Sequence, residues 1–446
     1  AIMMGIPSRG GAYVTQTRGS TSATELKWMF NDSTPSQVVT STKSVKYAIH
    51  TNGTADISLS GEKTVIEGQA PLWNTVNFHW IRVADDARPL SSIKSNDNIN
   101  TVYWLQTSLA DPHGKDMTGI PGWTFTQFNT TTGELLDTDI FLNDKQITWY
   151  KDGTIPITST TSLDLGSVVT HEFGHASGLS HSPHQAATMN AVGPTFDKYS
   201  ARSLERDDIL GILRKYPPSG YSGYTGKIAG TIKDNASTPR NIHSGIVMAR
   251  NSTTGVVVAA VLSNKGSYTI EGLDAGTYVI QSQCAGRSMN DAPGNFTSYW
   301  STSPTLSWRS TSSQDKTVTV SAGGTATANL AVTYGSLTMK IDQLVTYLPL
   351  QLSWAWANAP LRVPRGAILF PVGLKGQYFP SASTATITFN TSDIQVIVGP
   401  HTEVGVTGAI IVNVNVPIWA TVGPRNIELR KSDGTRVIAI GALEVY

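Results

Sequence analysis

Apolar and polar residues alternate in short runs along most of the chain, and turn residues separate these runs. Such alternation is typical of β-strands that bury one face. In the first half of the chain it predicts five strands, over 45–51, 76–83, 100–107, 122–129 and 137–143. One stretch between them, 58–73, has the wider spacing of an amphipathic helix.

Helical spacing returns over 161–178, which predicts a helix there. Ser162 is the predicted N-cap, and Asp164 lies in the first turn, where negative charge suits the helix dipole. Gly178 is the predicted end, because glycine readily leaves a helix with positive φ. A further helix is predicted over 203–215, with Ser203 as its N-cap.

After these helices the pattern changes to strands only. The Pro, Gly and Ser residues of "PPSGYSGYTG" mark the change as a boundary between domains. We therefore expect a multidomain chain in which an α+β domain precedes two all-β sandwiches. The predicted parts are an N-terminal arm (1–44), an α+β domain (45–217), a linker (218–226) and sandwiches over 227–334 and 335–446.

Composition narrows the class of protein. Charged residues make up only 15% of the chain and the net charge is +1, so no nucleic-acid partner is expected. No apolar run approaches the roughly 20 residues of a membrane helix. Cys284 is the single cysteine, which excludes an intramolecular disulfide and favours a secreted protein of bacterial type. We therefore expect an extracellular protein without a membrane span.

Three of the nine histidines lie within the eleven residues "HEFGHASGLSH", 171–181. On a helix, His171 and His175 project from one face one turn apart, which lets both imidazoles reach one metal ion. Glu172 lies beside them and can reach a metal-bound water without being a ligand. A carboxylate in that position can accept the proton of a water that attacks a carbonyl group.

The third ligand has two candidates. A sharp turn at Gly178 brings His181 back towards the helix, and His184 is the alternative. Spacing favours His181. Three neutral imidazoles leave a fourth position for water, as a catalytic zinc site requires and a closed structural site does not.

The spacing H-E-x-x-H-x-x-G-x-x-H resembles the signature of the metzincin zinc endopeptidases. Ser182 follows the third histidine, which resembles the matrixin branch, and Met189 in "AATMN" resembles the Met-turn beneath the zinc ligands. The resemblance covers about 45–217, and the chain is similar to the shorter bacterial matrixins. It implies a metzincin catalytic domain with one catalytic zinc on His171, His175 and His181.

Two features of the animal enzymes are absent from the sequence. There is no cysteine-containing inhibitory segment, and "DPHGKDMTG" (111–119) offers only His113 and a few aspartates in place of a histidine-rich loop. The sequence therefore gives no support for a second zinc, and calcium stays unassigned.

The two sandwiches carry weaker resemblances. The run "GSYTIEGLDAGTY" is similar to the prealbumin-like domains of the carboxypeptidase-regulatory type. There we expect Tyr268 and Ile270 to face the core from one strand and Tyr278 and Ile280 from the adjacent strand. The block 335–446 is similar to bacterial Ig-like modules of the IPT/TIG type. Such folds serve many functions, and docking to a cell surface or matrix is one of them.

These observations predict a secreted, zinc-dependent endopeptidase that acts on a protein or peptide substrate. Glu172 is its predicted general base and Met189 its predicted Met-turn residue. The alternative is a non-catalytic adhesive or self-assembling surface protein that retains a structural metal site. Glu172 argues against the alternative, because a purely structural site has no use for that carboxylate.

Overall fold

In a computed structural model of the chain, the described residues form two compact units. Among these residues, the first unit comprises 16–180 and 199–219, and the second comprises 181–193 and 220–446. None of the helices within them is long and apolar enough to cross a bilayer. The described residues are 16, 25–31, 35–94, 96–152, 155, 159, 161–193, 199–289, 308–335, 339–348, 353–357, 360–403 and 406–446.

The first unit combines a mostly parallel sheet with three α-helices in its described part. The sheet follows the order β1-β2-β4-β6-β5, and β3 also pairs with β2. The helices are α1 (Leu59–Gln69), α2 (Leu165–Ala176) and α3 (Arg206–Lys215). The strands are β1 (Val38–Val39), β2 (Ser44–His50), β3 (His79–Asp86), β4 (Asn100–Trp104), β5 (Gly122–Phe128), β6 (Leu135–Leu142), β7 (Thr148–Tyr150) and β8 (Ser162–Asp164).

This arrangement confirms the five strands and the first helix predicted from the pattern. β5 runs antiparallel to β6 and ends the sheet order, so it is an edge strand. Helix α2 packs on the sheet through Phe173, whose ring lies 5.1 Å from that of Tyr47 and 5.2 Å from that of Trp80. Aromatic contacts therefore fix the helix that carries the motif.

Helix α2 begins later than the sequence predicts. Ser162 is not its N-cap, because it is the first residue of β8, where it pairs with Thr148, and the helix starts only after the last residue of that strand. The cap is Asp164, whose carboxylate accepts the backbone N–H of Ser167 at 2.7 Å and forms an ion pair with Arg202. Asp164 ends β8 and has the extended φ and ψ that are typical of an N-cap.

The end of α2 and the start of α3 have identifiable causes. Gly178 has φ +89°, and a Cβ there would lie 2.5 Å from the carbonyl oxygen of Leu26, so only glycine fits. The predicted stop after α2 is confirmed. In α3 the N-cap is Glu205 and not Ser203, since the Glu205 N–H donates to the Asp208 carboxylate at 2.9 Å.

The predicted N-terminal arm lies largely outside the described residues. The described part packs within the first unit, where Trp28 is buried. Its indole N–H donates to the carbonyl of Ala176, the last residue of α2, at 3.0 Å. Tyr216, just after α3, donates its hydroxyl to the backbone of Ser177 at 3.1 Å. Distant parts of the chain thus hold the C-terminal end of α2.

The second unit contains a short helix, α4 (Tyr221–Tyr224), and a first sandwich of two sheets. One sheet has the order β11-β10-β13-β15, and the other has the order β12-β9-β17-β14 with β16 beside β9. The strands are β9 (Gly226–Asp234), β10 (Gly245–Asn251), β11 (Val257–Leu262), β12 (Ser267–Leu273), β13 (Gly276–Cys284), β14 (Trp308–Arg309), β15 (Lys316–Val320), β16 (Thr325–Thr327) and β17 (Leu330–Tyr334).

The core residues predicted here are buried, but their strands are not neighbours in one sheet. Tyr268 and Ile270 lie on β12, and Tyr278 and Ile280 lie on β13. β12 pairs with β9 and β13 pairs with β10 and β15, so the prediction of adjacent strands is wrong. Alternation identifies the buried face of a strand and does not identify its partner.

The second sandwich also has two sheets, with the orders β19-β18-β21-β24-β23 and β20-β26-β25-β22. Side chains from both sheets form its core, for example Leu374 and Leu429. The strands are β18 (Lys340–Leu348), β19 (Ser353–Ala357), β20 (Leu361–Val363), β21 (Phe370–Gln377), β22 (Thr386–Thr388), β23 (Gln395–His401), β24 (Ala409–Asn415), β25 (Gly423–Arg430) and β26 (Arg436–Val445).

Strand β26 is buried on both faces. Val437 and Ala439 face the core of the second sandwich. Ile438 and Ile440 instead join a hydrophobic cluster with Ile246 and other residues of the first sandwich. The two sandwiches therefore share a buried apolar contact, as their place in one compact unit requires.

Candidate metal centre and active site

Three histidines offer a set of metal ligands. α2 places His171 and His175 one turn apart, with ring centroids 4.7 Å apart and ring planes at 84°. One ligand atom from each of His171, His175 and His181 lies within 4.8 Å of the others. Within the part of the chain that the structure describes, this is the only group of three or more His, Cys, Asp or Glu residues so placed.

The ring of His175 is oriented by the backbone carbonyl of Leu179, just after the helix. Its Nδ1 lies 3.0 Å from the carbonyl oxygen of Leu179. A carbonyl only accepts hydrogen bonds, so Nδ1 carries the proton and Nε2 carries the lone pair. Metal-binding histidines usually donate their second N–H to a carbonyl or carboxylate in this way.

His184, the alternative third ligand, does not belong to this group of histidines. It is buried, whereas His171, His175 and His181 are each partly exposed. Burial lowers the pKa of His184 to about 4, so this imidazole is neutral at physiological pH. The structure thus favours His181 over His184 at the metal centre.

Glu172 is buried beside β5 and outside the group of histidine ligands. The hydroxyl of Thr124 donates to its Oε2 at 2.6 Å. Burial raises the pKa of Glu172 to about 7, and the Thr124 hydrogen bond opposes that rise. Glu172 therefore combines a fixed carboxylate with a pKa near neutrality.

Sequence reasoning missed the two β5 residues that surround this carboxylate. Thr124 binds Glu172, and a Cβ at Gly122 would lie 2.6 Å from Glu172 Oε1. Gly122 therefore leaves room for the Glu172 side chain. A glycine in a strand often marks a place where another group approaches the backbone closely. The glycine that begins "GWTFTQFN" could have indicated such a contact.

Met189 lies in a closed turn, residues 182–190, which we call the Met189 turn. The Ser182 N–H donates to the Met189 carbonyl at 2.7 Å, and the Asn190 side chain donates to the Ser182 carbonyl at 3.1 Å. Met189 itself is buried. The turn immediately follows His181, so its position bears directly on the third histidine.

The donor set fits zinc. Three imidazoles within reach of one ion match the ligand type and number of catalytic zinc sites, which leave a fourth position open. The described residues give calcium no comparable group of carboxylates. Glu172 lies next to one ligand in sequence and is not a member of the ligand group, as a proton acceptor should be.

Residues 95–217 match the family model for matrixins. A curated relative, metalloendoproteinase 1-MMP of Arabidopsis thaliana, is 38% identical over 77 residues, which are 17% of this chain and 20% of the relative. The chain thus spans about one fifth of the length of that relative. These two similarities and the histidine group support a matrixin-like metalloprotease.

Solved structures give no further information. The minor pilin GBS52 of Streptococcus agalactiae is 12% identical, over 26% of this chain and 46% of its own, with a TM-score of 0.18. The major pilin subunit BcpA of Bacillus cereus is 8% identical, over 50% of this chain and 67% of its own, with a TM-score of 0.17. Scores this low carry no argument about fold or function.

Proposed function

We propose that the chain is a secreted zinc-dependent endopeptidase in which His171, His175 and His181 hold the metal ion. One observation carries the proposal. A buried carboxylate, Glu172, lies on the same helix as two candidate ligands and is absent from the ligand group itself. The matrixin match over 95–217 includes all four of these residues.

Glu172 is the proposed general base. When bound, zinc supplies Lewis acidity that polarises a carbonyl and lowers the pKa of water. Glu172 accepts a proton from the attacking water and later donates it to the leaving amine. Burial raises the pKa of Glu172, and bound zinc would lower it again, so the carboxylate would be ionised and able to accept a proton near neutral pH. Thr124 keeps the carboxylate in place.

Strand β5 gives the proposed substrate a place to bind. It ends the sheet order, so one edge of its backbone is unpaired within the described sheet. It also carries Thr124, which contacts Glu172. An extended peptide can add to such an edge as a further strand, and its scissile bond would then lie near Glu172. The substrate is therefore an extended segment of a protein.

Secretion and the role of the sandwiches belong to the same proposal. The single cysteine and the weakly charged composition suit an exported protein of bacterial type. The two sandwiches, of the carboxypeptidase-regulatory and IPT/TIG types by resemblance, would then dock the enzyme to a cell surface, a matrix or a large substrate.

The test is cleavage of a random peptide library by the full chain, followed by mass spectrometry. We expect internal peptide bonds to be hydrolysed, activity to be lost on chelation, and activity to return when zinc alone is restored. Cleavage that is unaffected by chelators would overturn the zinc assignment. Bound zinc without cleavage of any peptide would favour the alternative of a non-catalytic adhesive protein with a structural metal site.

A further inference from the structure

The second sandwich holds the turn that follows the third histidine. Residues 181–193 belong to the same compact unit as both sandwiches, although the helix immediately before them belongs to the first unit. We propose that the middle of β26, at Ile440 and Gly441, positions the Met189 turn and thereby tunes the affinity of His181 for zinc. The inference rests on the zinc site of the proposed function.

Gln185 anchors the turn to two separate parts of the sandwich unit. Its backbone N–H donates to the carbonyl of Ile440 at 2.9 Å. Its side-chain amide donates to the hydroxyl of Ser288 at 2.9 Å and to the carbonyl of Met289 at 3.1 Å. Gln185 is buried, so each of these hydrogen bonds replaces one that water would otherwise make.

Gly441 forms the second anchor through its missing side chain. A Cβ at this position would lie between 2.6 and 3.0 Å from three atoms of the His184 ring. His184 is 1% exposed and has little room to move away. Gly441 also has φ +64°, which glycine adopts without strain. The His184 ring is therefore seated directly on the β26 backbone.

Internal hydrogen bonds link the two ends of the Met189 turn to each other. The Asn190 side chain donates to the carbonyls of Ser182 and His184 at 3.1 and 3.3 Å. The Ser182 N–H in turn donates to the Met189 carbonyl. A displacement of His184 is thus passed to Ser182, the residue bonded to His181. Gly441 and Gln185 are positioning residues for the metal centre.

The experiment measures zinc affinity of the full chain by chelator competition, with the cobalt(II) absorption spectrum as a second readout. Gly441→Ala should weaken zinc binding at least about tenfold, or about 1.4 kcal/mol. It should also change the cobalt spectrum, which reports ligand geometry. Neither readout requires proteolysis.

The matched control is Gly434→Ala in the hairpin turn before β26. Gly434 has φ +81°, so alanine is strained there as well, but nothing lies within 4 Å of the added Cβ. We expect zinc affinity within about twofold of the unchanged chain. Equal zinc affinities and cobalt spectra in the two variants would overturn the proposal, because backbone strain alone would then account for the effect of alanine.

Two further variants test the proposal if Gly441→Ala does not fold. Gln185→Ala removes both side-chain hydrogen bonds, and Ser288→Ala removes one of their acceptors. Both variants should weaken zinc binding, and the effects should be less than additive, because the two residues share one contact. Unchanged zinc affinity in folded Gln185→Ala would overturn the proposal.

The same measurements separate a failure of this inference from a failure of the proposed function. Zinc that binds normally and is insensitive to Gly441 and Gln185 would remove this inference and leave the endopeptidase proposal intact. Zinc whose affinity depends on Gly441, in a chain that cleaves no peptide, would support the positioning role and remove the catalytic one.

Discussion

At the scale of single residues, the surroundings of each side chain decide its role. His181 and His184 are three residues apart in one segment, yet only His181 joins the group with His171 and His175. His184 is instead buried against the backbone at Gly441. The sequence favoured His181 through its spacing from Gly178. It could not show that His184 is buried, because Gly441 lies more than 250 residues further along the chain.

The two histidines should therefore differ when each is replaced. His181→Ala should weaken zinc binding more than about 100-fold, beyond the roughly 10- to 100-fold cost of losing a residue that only supports a ligand. His184→Gln should cost no more than about tenfold. Zinc titration of both variants checks this. A larger loss in His184→Gln than in His181→Ala would reverse the assignment of the third ligand.

His184 should also make the second unit sensitive to acid. Its pKa is about 4 in the folded chain and about 6.5 in the unfolded chain, so the unfolded state binds more protons between these values. The stabilisation is complete above pH 6.5 and is lost as the pH falls towards 4. By pH 4.5 the loss is roughly 2 to 3 kcal/mol, since one pKa unit corresponds to about 1.4 kcal/mol.

Denaturant unfolding at pH 7 and pH 4.5 tests this effect. The unchanged chain should lose roughly 2 to 3 kcal/mol more unfolding free energy between the two pH values than His184→Gln, which has no imidazole to titrate. Other titrating groups act equally in both proteins and cancel in the comparison. An identical pH dependence would show that His184 is not kept neutral by burial.

At the scale of elements, helix α2 and strand β5 make the candidate site together. The sequence predicted both elements and the ligands on α2, because helical spacing alone brings His171 and His175 to one face. It placed the N-cap wrongly at Ser162, since pairing of β8 with β7 is a tertiary effect. The sequence also could not predict the contact between Thr124 and Glu172, because these residues are 48 positions apart.

The close approach of β5 to α2 yields a test. Gly122→Ala would put a Cβ about 2.6 Å from Glu172 Oε1 and push the carboxylate away. We expect kcat/KM for peptide hydrolysis to fall at least tenfold with zinc retained, since small displacements of a catalytic group are costly. Peptide kinetics and metal analysis of the purified variant measure both quantities.

Gly68→Ala in α1 is the matched control for that variant. Nothing lies within 4 Å of the Cβ added there, and alanine has the higher helix propensity by about 1 kcal/mol. Activity should be unchanged and the protein should be slightly more stable. If Gly122→Ala also kept full activity, Glu172 would have room to move without consequence, and its placement by β5 would be irrelevant to catalysis.

At the scale of the whole molecule, long-range pairing joins the two sandwiches. The side-chain amide of Gln283 donates to the carbonyl of Ile438 at 2.8 Å and accepts its backbone N–H at 2.6 Å. Arg436 also forms an ion pair with Asp315 of the first sandwich. Apolar alternation predicted the strands on both sides of this contact. It cannot predict a bond between residues 155 positions apart, because either strand would look the same without it.

Gln283→Ala tests whether this contact makes one cooperative unit. It leaves the N–H and carbonyl of Ile438 buried without that partner, which should cost roughly 2 to 4 kcal/mol. Calorimetry should show both sandwiches melting in one transition at a lower temperature. Gln395→Ala on the exposed β23 is the control and should change nothing. Two separate transitions in the unchanged chain would contradict a joined unit.

Glu172 is the proposed base of a zinc-dependent peptidase, and Glu172→Gln removes that role while it leaves the three histidines in place. The amide keeps the size of the side chain and can still bond to Thr124, but it cannot accept the proton from water. We expect the variant to keep its full zinc content and to lose at least about 100-fold in the rate of peptide hydrolysis. Hydrolysis at the unchanged rate by the zinc-loaded variant would show that Glu172 is not the base.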